Sequence, residues 1–157
     1  MTKAIYERII NLLDSEQRSY TVAEHADTRT SADSAAVRGE SLSLGAKALL
    51  LKADGKLVLA VLRADRKLDS RAFQRLIGAR KLRFATREEL AEATGGLQPG
   101  SVPPIGRLFD LPLYVDTSIT NGDRVAFNAG MTNRSVFMST ADYVAVARPT
   151  ICDFSIF

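Results

Sequence analysis

The stretch Gly45-Ala46-Lys47-Ala48-Leu49-Leu50-Leu51-Lys52, followed by Asp54-Gly55 and a second apolar run at 56–63, constrains this chain most. A type I′ turn needs positive φ at both central residues, and Asp-Gly tolerates it, so the two runs predict an antiparallel hairpin. Strand side chains alternate, placing Lys47, Leu49 and Leu51 on one face and Ala46, Ala48 and Leu50 on the other. In the return run Leu57, Leu59 and Val61 alternate with Val58, Ala60 and Leu62. Both faces are apolar beyond Lys47, which predicts a hairpin covered on both sides. A lysine at the mouth of such a strand loses hydration, so it finds an anion, lowers its pKa or snorkels to water. Lys47 is therefore either a strand-end lysine reaching solvent or a cation held at the rim of a pocket.

Around this hairpin the pattern predicts further elements. Ile5, Ile9, Leu12 and Leu13 recur at helical spacing, giving an amphipathic helix over 2–17 with Thr2 as its N-cap. A short strand at 20–23 leads to Glu24-His25 and a polar loop, after which Thr30 or Ser31 caps a helix over 32–38 that Gly39 ends. Beyond the hairpin, Asp69 or Ser70 opens a helix closed at Gly78, and a strand follows at 82–85. Thr86 opens another helix, over 87–93, with Glu88 and Glu89 in its first turn where the dipole favours anions. The segment 95–106, with its glycines and prolines, is too apolar for a linker and too irregular for an element, so it predicts a stiff loop that lines something. Strands are predicted at 113–116, 124–128 and 134–138, then a helix over 141–147 capped by Thr140 and stopped before Pro149, then an apolar tail at 151–154. Strands and helices lack a regular alternation, and the clearest pair is antiparallel. The expected class is α/β of α+β character: a single compact domain over 1–157, with a curved mixed or largely antiparallel sheet and peripheral helices.

At 157 residues, 46% hydrophobic and 25% charged, the chain suits one soluble, well-cored domain. No apolar run approaches the roughly 20 residues that cross a bilayer. One cysteine, Cys152, excludes an internal disulfide and a cysteine zinc site, and one histidine, His25, excludes His-pair metal sites. No metal or cofactor is expected, and a cytoplasmic location is the simplest fit. The net charge of +3 is unevenly spread. Arg63, Arg66, Lys67, Arg71, Arg75, Arg80, Lys81, Arg83 and Arg87 crowd one segment against Asp65 and Asp69. That cluster is either a track for a phosphate backbone or a solvated face.

The ordered set resembles a known family. Glu24-His25, Thr30, the Gly45-Ala46-Lys47-Ala48-Leu49 hairpin, Lys67-Leu68-Asp69, Leu76-Ile77-Gly78-Ala79, Thr94-Gly95, Gly100-x-x-x-Pro104-x-Gly106, Val115-Asp116 and Phe127-Asn128-Ala129-Gly130 follow the order of the YbaK/EbsC family. These are relatives of the editing domain of bacterial prolyl-tRNA synthetases. The resemblance implies a compact α/β domain and hydrolysis of the ester joining a wrong amino acid to tRNA. Mischarged tRNA is then the partner, with an aminoacyl-tRNA synthetase as a further one. It also implies that Lys47 is required for activity and that the 100–106 loop shapes the aminoacyl pocket. Asn128 departs from the serine or histidine of other branches, which leaves the amino acid open.

Hydrolysing an activated ester needs a held carbonyl, a positioned water and a stabilised oxyanion rather than a triad. Lys47 can supply charge. Gly100, Ser101, Pro104 and Gly106 belong to the pocket loop, whose proline-free positions carry N–H donors. Asn128, with Gly130 beside it, could hold the water or the substrate amine. His25 is a general base or a structural strand-end residue, and Thr30 a pocket hydroxyl or a helix cap. Asp116 could pair with Lys47, bind the amine or form a strand-end turn. Arg66, Lys67, Arg71, Arg75, Arg80 and Lys81 are the expected tRNA contacts. Cys152 is expected to be buried and inert. Two other readings stay open: a non-catalytic aminoacyl-tRNA or RNA-binding module, and a protein-interaction domain with a solvated basic face.

Overall fold

In the computed structural model, residues 2–24 and 44–157 are described; His25, Thr30 and the helix expected at 32–38 lie outside them. The elements in order are α1 (Thr2–Ser15), β1 (Thr21–Glu24), β2 (Ala46–Ala53), β3 (Lys56–Arg63), β4 (Lys67–Leu68), α2 (Ser70–Ile77), β5 (Leu82–Phe84) and α3 (Arg87–Thr94). A single 3-10 turn at Gly106–Leu108 precedes β6 (Leu113–Asp116), α4 (Thr117–Thr120), β7 (Arg124–Asn128), β8 (Arg134–Ser139), α5 (Thr140–Ala147), β9 (Thr150–Cys152) and β10 (Ser155–Ile156).

The hairpin forms as its turn chemistry dictates. Asp54 and Gly55 take φ of 50° and 83°, and β2 pairs with β3 from Ala46↔Arg63 to Ala53↔Lys56. These strands are the inner part of a five-stranded mixed sheet ordered β5-β2-β3-β6-β9, in which β6 and β9 run parallel to their neighbours. A second, antiparallel sheet of order β1-β8-β7 meets the first where Gly45 bridges Ala126 in parallel. The mixed character follows from chain length: β3 and β6 are joined by a long crossover carrying α2 and α3, as a parallel pair requires.

Val58 to Leu62 are all buried because both faces of β3 are covered, which is why this run is apolar without alternation. One face, with Leu50, Leu59, Val61 and Val115, meets Ile5, Ile9 and Leu13 of α1, the 100–106 loop and the second sheet. The other, with Leu51, Val58, Ala60 and Leu62, is closed by Phe73 of α2 and by Phe154. Phe73 packs edge-on against Tyr114 and Phe154 at centroid distances of 5.4 and 4.9 Å. Helix ends follow the expected chemistry. Asp69 caps α2, which stops at left-handed Gly78, and Thr86 with Glu89 forms a capping box on α3.

Several expectations change: α1 already includes Thr2, its expected cap, and ends at Ser15 rather than at residue 17, and β4 and α4 form where no element was expected. Ser139 rather than Thr140 caps α5, accepting from Asp142 N, so the helix starts one residue earlier. The apolar tail is not a tail: β9 extends the main sheet and β10 pairs with β4 through Ser155↔Leu68 and Ile156↔Lys67. Those two strands are too short to show a periodicity, and only their partners stabilise them.

Candidate active site

Lys47 sits one residue inside β2, half-buried, on the face that carries Leu49 and Leu51. Along the side where β5 lies, β2 is paired only at Leu51–Ala53, so its first half borders β7 across the Gly45–Ala126 bridge. Lys47 therefore lies two residues beyond the bridge that joins the two sheets. The Lys47 ammonium donates to the backbone carbonyl of Arg66. Burial pulls its pKa below the usual lysine value; Asp65 opposes that shift and Lys67 adds to it. The turn after β3 is tightly held. Ala64 N–H donates to Gly45 at 2.8 Å, and the Arg63 guanidinium grips Asp65 at 2.6 and 3.0 Å.

Asn128 ends β7 and uses its carboxamide on protein. Its Nδ2 donates to the Gly100 carbonyl at 2.7 Å, and Ser135 Oγ approaches its Oδ1 at 3.4 Å. Asn128 thus ties the pocket loop to the end of β7. Gly100 is the exposed corner of that loop at φ 89°, a conformation glycine adopts without strain. From Ser101 to Gly106 every residue is buried. Ser101 Oγ closes a turn on Gln98 at 2.7 Å, and the Pro104 carbonyl accepts from the buried Tyr143 hydroxyl at 2.6 Å. A Cβ on Gly106 would lie 2.5 Å from the Leu111 carbonyl, and one on Gly130 would lie 2.8 Å from Ile5 of α1. Ser101, Pro104, Gly106 and Gly130 therefore shape and brace the loop from behind, and Gly100 is the member that meets solvent. Gln98, Ser101, Gly130, Met131 and Asn133 line a cleft of about 260 Å³ at the foot of this loop.

Asp116 does not pair with Lys47. It is fully buried, caps α4 through Ser118 N–H, and accepts from Phe154 N–H at 2.6 Å and Ser155 Oγ at 2.6 Å. Burial raises its pKa, but those hydrogen bonds outweigh burial and leave it below the usual carboxylate value. Its place in the strand-end turn, one of the alternatives in the sequence, is the one realised. Cys152 is half-buried, and burial followed by Asp116 and Asp153 pushes its thiol up, which disfavours the thiolate. Among the described residues no cluster of His, Cys, Asp and Glu could hold a metal ion.

The basic segment divides in two. Arg66 is not an open cation: its Nε and Nη2 donate to Ser155 Oγ and O at 2.6 and 3.0 Å, and its guanidinium lies 4.1 Å from the Phe157 ring. Arg63 is taken by Asp65 and Arg83 by Glu89. Lys67, Arg71, Arg75, Arg80 and Lys81 are exposed, without an ion pair among the described residues. Sequence reasoning did not single out Ser155 or Tyr143, because each acts through a partner about 40 or more positions away that no local pattern encodes.

Residues 25–146 match the model of a family described as the aminoacyl-tRNA editing domain. The chain is 34% identical over 154 residues to the multifunctional Ser/Thr-tRNA deacylase ProXp-y of Escherichia coli K12, covering 95% of this chain and 92% of that protein. It is 30% identical over 119 residues to the proline–tRNA ligase of Bacillus licheniformis, covering 76% of this chain but 21% of the ligase. A crystal structure described as that of a candidate trans-editing enzyme for prolyl tRNA synthetase superposes with a TM-score of 0.84 at 26% identity, covering 98% of each chain.

Proposed function

The chain belongs to the aminoacyl-tRNA editing domain family, and from that premise we propose that it is a trans-editing aminoacyl-tRNA deacylase, hydrolysing the ester of a mischarged tRNA. The observation that carries this reading is Lys47, a half-buried ammonium two residues beyond the bridge that joins the two sheets, held against the Arg66 carbonyl. Such a cation is already partly dehydrated, so its interaction with a ribose oxygen, a phosphate or a developing oxyanion is less screened than in bulk water. Gly100 is the point where a substrate backbone can approach most closely. Asn128 keeps that corner in register with the strand, so the carbonyl of the ester meets a preformed edge.

Lys67, Arg71, Arg75, Arg80 and Lys81 form the proposed tRNA track. The helix α2 starts next to β4, near Lys47, and the chain after it reaches Asp54, whose carboxylate accepts from Arg80 N–H and Lys81 N–H. Lys47 to Ala53 spans about 20 Å at 3.3 Å per residue, so the track follows the hairpin away from the reaction centre. The reaction takes place where tRNA is charged, in the cytoplasm of the cell. Among the described residues no helix is long and apolar enough to cross a membrane.

The test is a deacylation panel of mischarged tRNAs, beginning with serine and threonine because ProXp-y is named for them. The wild-type chain is expected to release at least one amino acid. Lys47→Ala should keep the fold and lose most turnover, and Lys47→Arg should also fail, since a guanidinium is too wide to replace a compact ammonium. Wild-type turnover by Lys47→Ala would refute the assignment. Tight tRNA binding without hydrolysis on any member would favour a non-catalytic sensor.

A further inference from the structure

The Arg66 carbonyl that receives Lys47 belongs to a residue whose own side chain is anchored far along the chain. The buried Asp116 carboxylate accepts from Ser155 Oγ at 2.6 Å, and that same oxygen accepts from Arg66 Nε at 2.6 Å. Ser155 O accepts from Arg66 Nη2 at 3.0 Å, and the Phe157 ring covers the guanidinium. The backbone is held as well: Asp69 N–H donates to Phe154 O at 2.7 Å, and Arg66 N–H to Arg63 O at 3.0 Å. Hydrogen bonds thus join Asp116 to Ser155 and Ser155 to the Arg66 guanidinium, and the backbone carbonyl of that same arginine accepts from the Lys47 ammonium.

We propose that Arg66 and Ser155 are positioning residues for Lys47: the Ser155 clamp on the Arg66 guanidinium fixes the Arg66 carbonyl, and that carbonyl holds the ammonium in one pose. This rests on Lys47 being the residue that drives deacylation. It departs from the phosphate contact that the basic cluster suggests for Arg66. A lysine side chain has four rotatable bonds and much rotamer freedom to lose, so a half-exposed one needs a rigid acceptor to hold a single pose. Arg66 is suited to this role. Its planar fork binds Oγ and O of one residue together, which a lysine cannot copy. The charged groups facing Lys47 are Asp65 and Lys67, and Asp65 is itself gripped by Arg63.

The experiment uses the full chain with Ser155→Ala, Ser155→Thr and Arg66→Lys, assayed on the serine- or threonine-bearing tRNA that wild type deacylates. A second readout follows the Lys47 side-chain nitrogen by NMR titration, with the signal assigned through Lys47→Arg. Ser155→Ala and Arg66→Lys should each lower kcat about tenfold with KM unchanged, because a misplaced catalytic group costs rate rather than binding. Ser155→Thr, which keeps the hydroxyl, should restore kcat. In Ser155→Ala the Lys47 titration should move up toward that of an ordinary lysine as the ammonium regains water. Wild-type kcat in Ser155→Ala, an unmoved Lys47 titration, or a raised KM with intact kcat in Arg66→Lys would each overturn the proposal. The last of these would make Arg66 a tRNA contact. If wild type deacylates nothing, the functional reading fails, while the titration still decides whether Ser155 positions Lys47.

Discussion

At the scale of single residues, Lys47, the proposed catalytic group, carries a measurable cost. Its pKa is lowered chiefly by burial, so between that lowered value and 10.5 the unfolded chain holds a proton that the folded chain has released. Stability therefore rises with pH across that window, and the penalty of burying the charge is fully present below it. Replacing Lys47 with methionine removes the titration. The stability difference between wild type and Lys47→Met should shift in favour of wild type as pH rises toward 10.5. Urea unfolding of both proteins at several alkaline pH values measures it, and a difference independent of pH would place the ammonium in bulk water. Asn128 shows the same economy at residue scale. Its carboxamide joins Gly100 to β7 and so ties the pocket loop to the second sheet.

At the scale of elements, the 100–106 loop is held by groups outside itself. Among the described residues its buried Pro104 carbonyl accepts from the Tyr143 hydroxyl of α5, and burial pushes that phenol's pKa well up, so it stays a donor. Tyr143→Phe leaves the ring in place and orphans the carbonyl, a loss of about 1–3 kcal/mol. A lower urea midpoint with unchanged m-value, together with weaker deacylation, is the expected result; an unchanged midpoint would mean that the loop holds its shape without α5. Gly100 is a different case. At φ 89° a β-branched residue there is strained whatever space is available, so a bulky substitution reports backbone strain as well as pocket size.

At the scale of the whole molecule, the hairpin, α2 and the chain after it run side by side, with Lys47 at one end and Arg80 and Lys81 at the other. An enzyme that must find a rare mischarged tRNA gains most of its affinity from phosphates, and each contact contributes about 0.7 to 0.9 to the log-affinity versus log-salt slope. Arg71 and Arg75 share the outer face of α2, away from buried Phe73. Reversing both to glutamate should weaken tRNA binding and flatten that slope, leaving hydrolysis of a short aminoacyl ester nearly unchanged. An unaltered slope would put the tRNA on another face.

Much of this could be read in the amino acids because it is written in neighbours. Asp54-Gly55 forms its hairpin turn, Asp69 and Gly78 bound α2, and Thr86 with Glu89 opens α3, each through contacts within a few residues. The order of motifs around Lys47 and the 100–106 loop likewise carried the family and the fold class. What the amino acids alone left open was decided by pairs distant in the chain. Asp116 could equally have met Lys47, and it is Phe154 and Ser155, brought back beside β6 by β9, that take its oxygens. Arg66 looks like any other member of a basic run until Ser155 closes on it. Local sequence dictates local backbone because turns and caps are satisfied within a few bonds. The partner of a buried charge or carbonyl is whichever group the sheet order delivers, and that order exists only once the chain has folded.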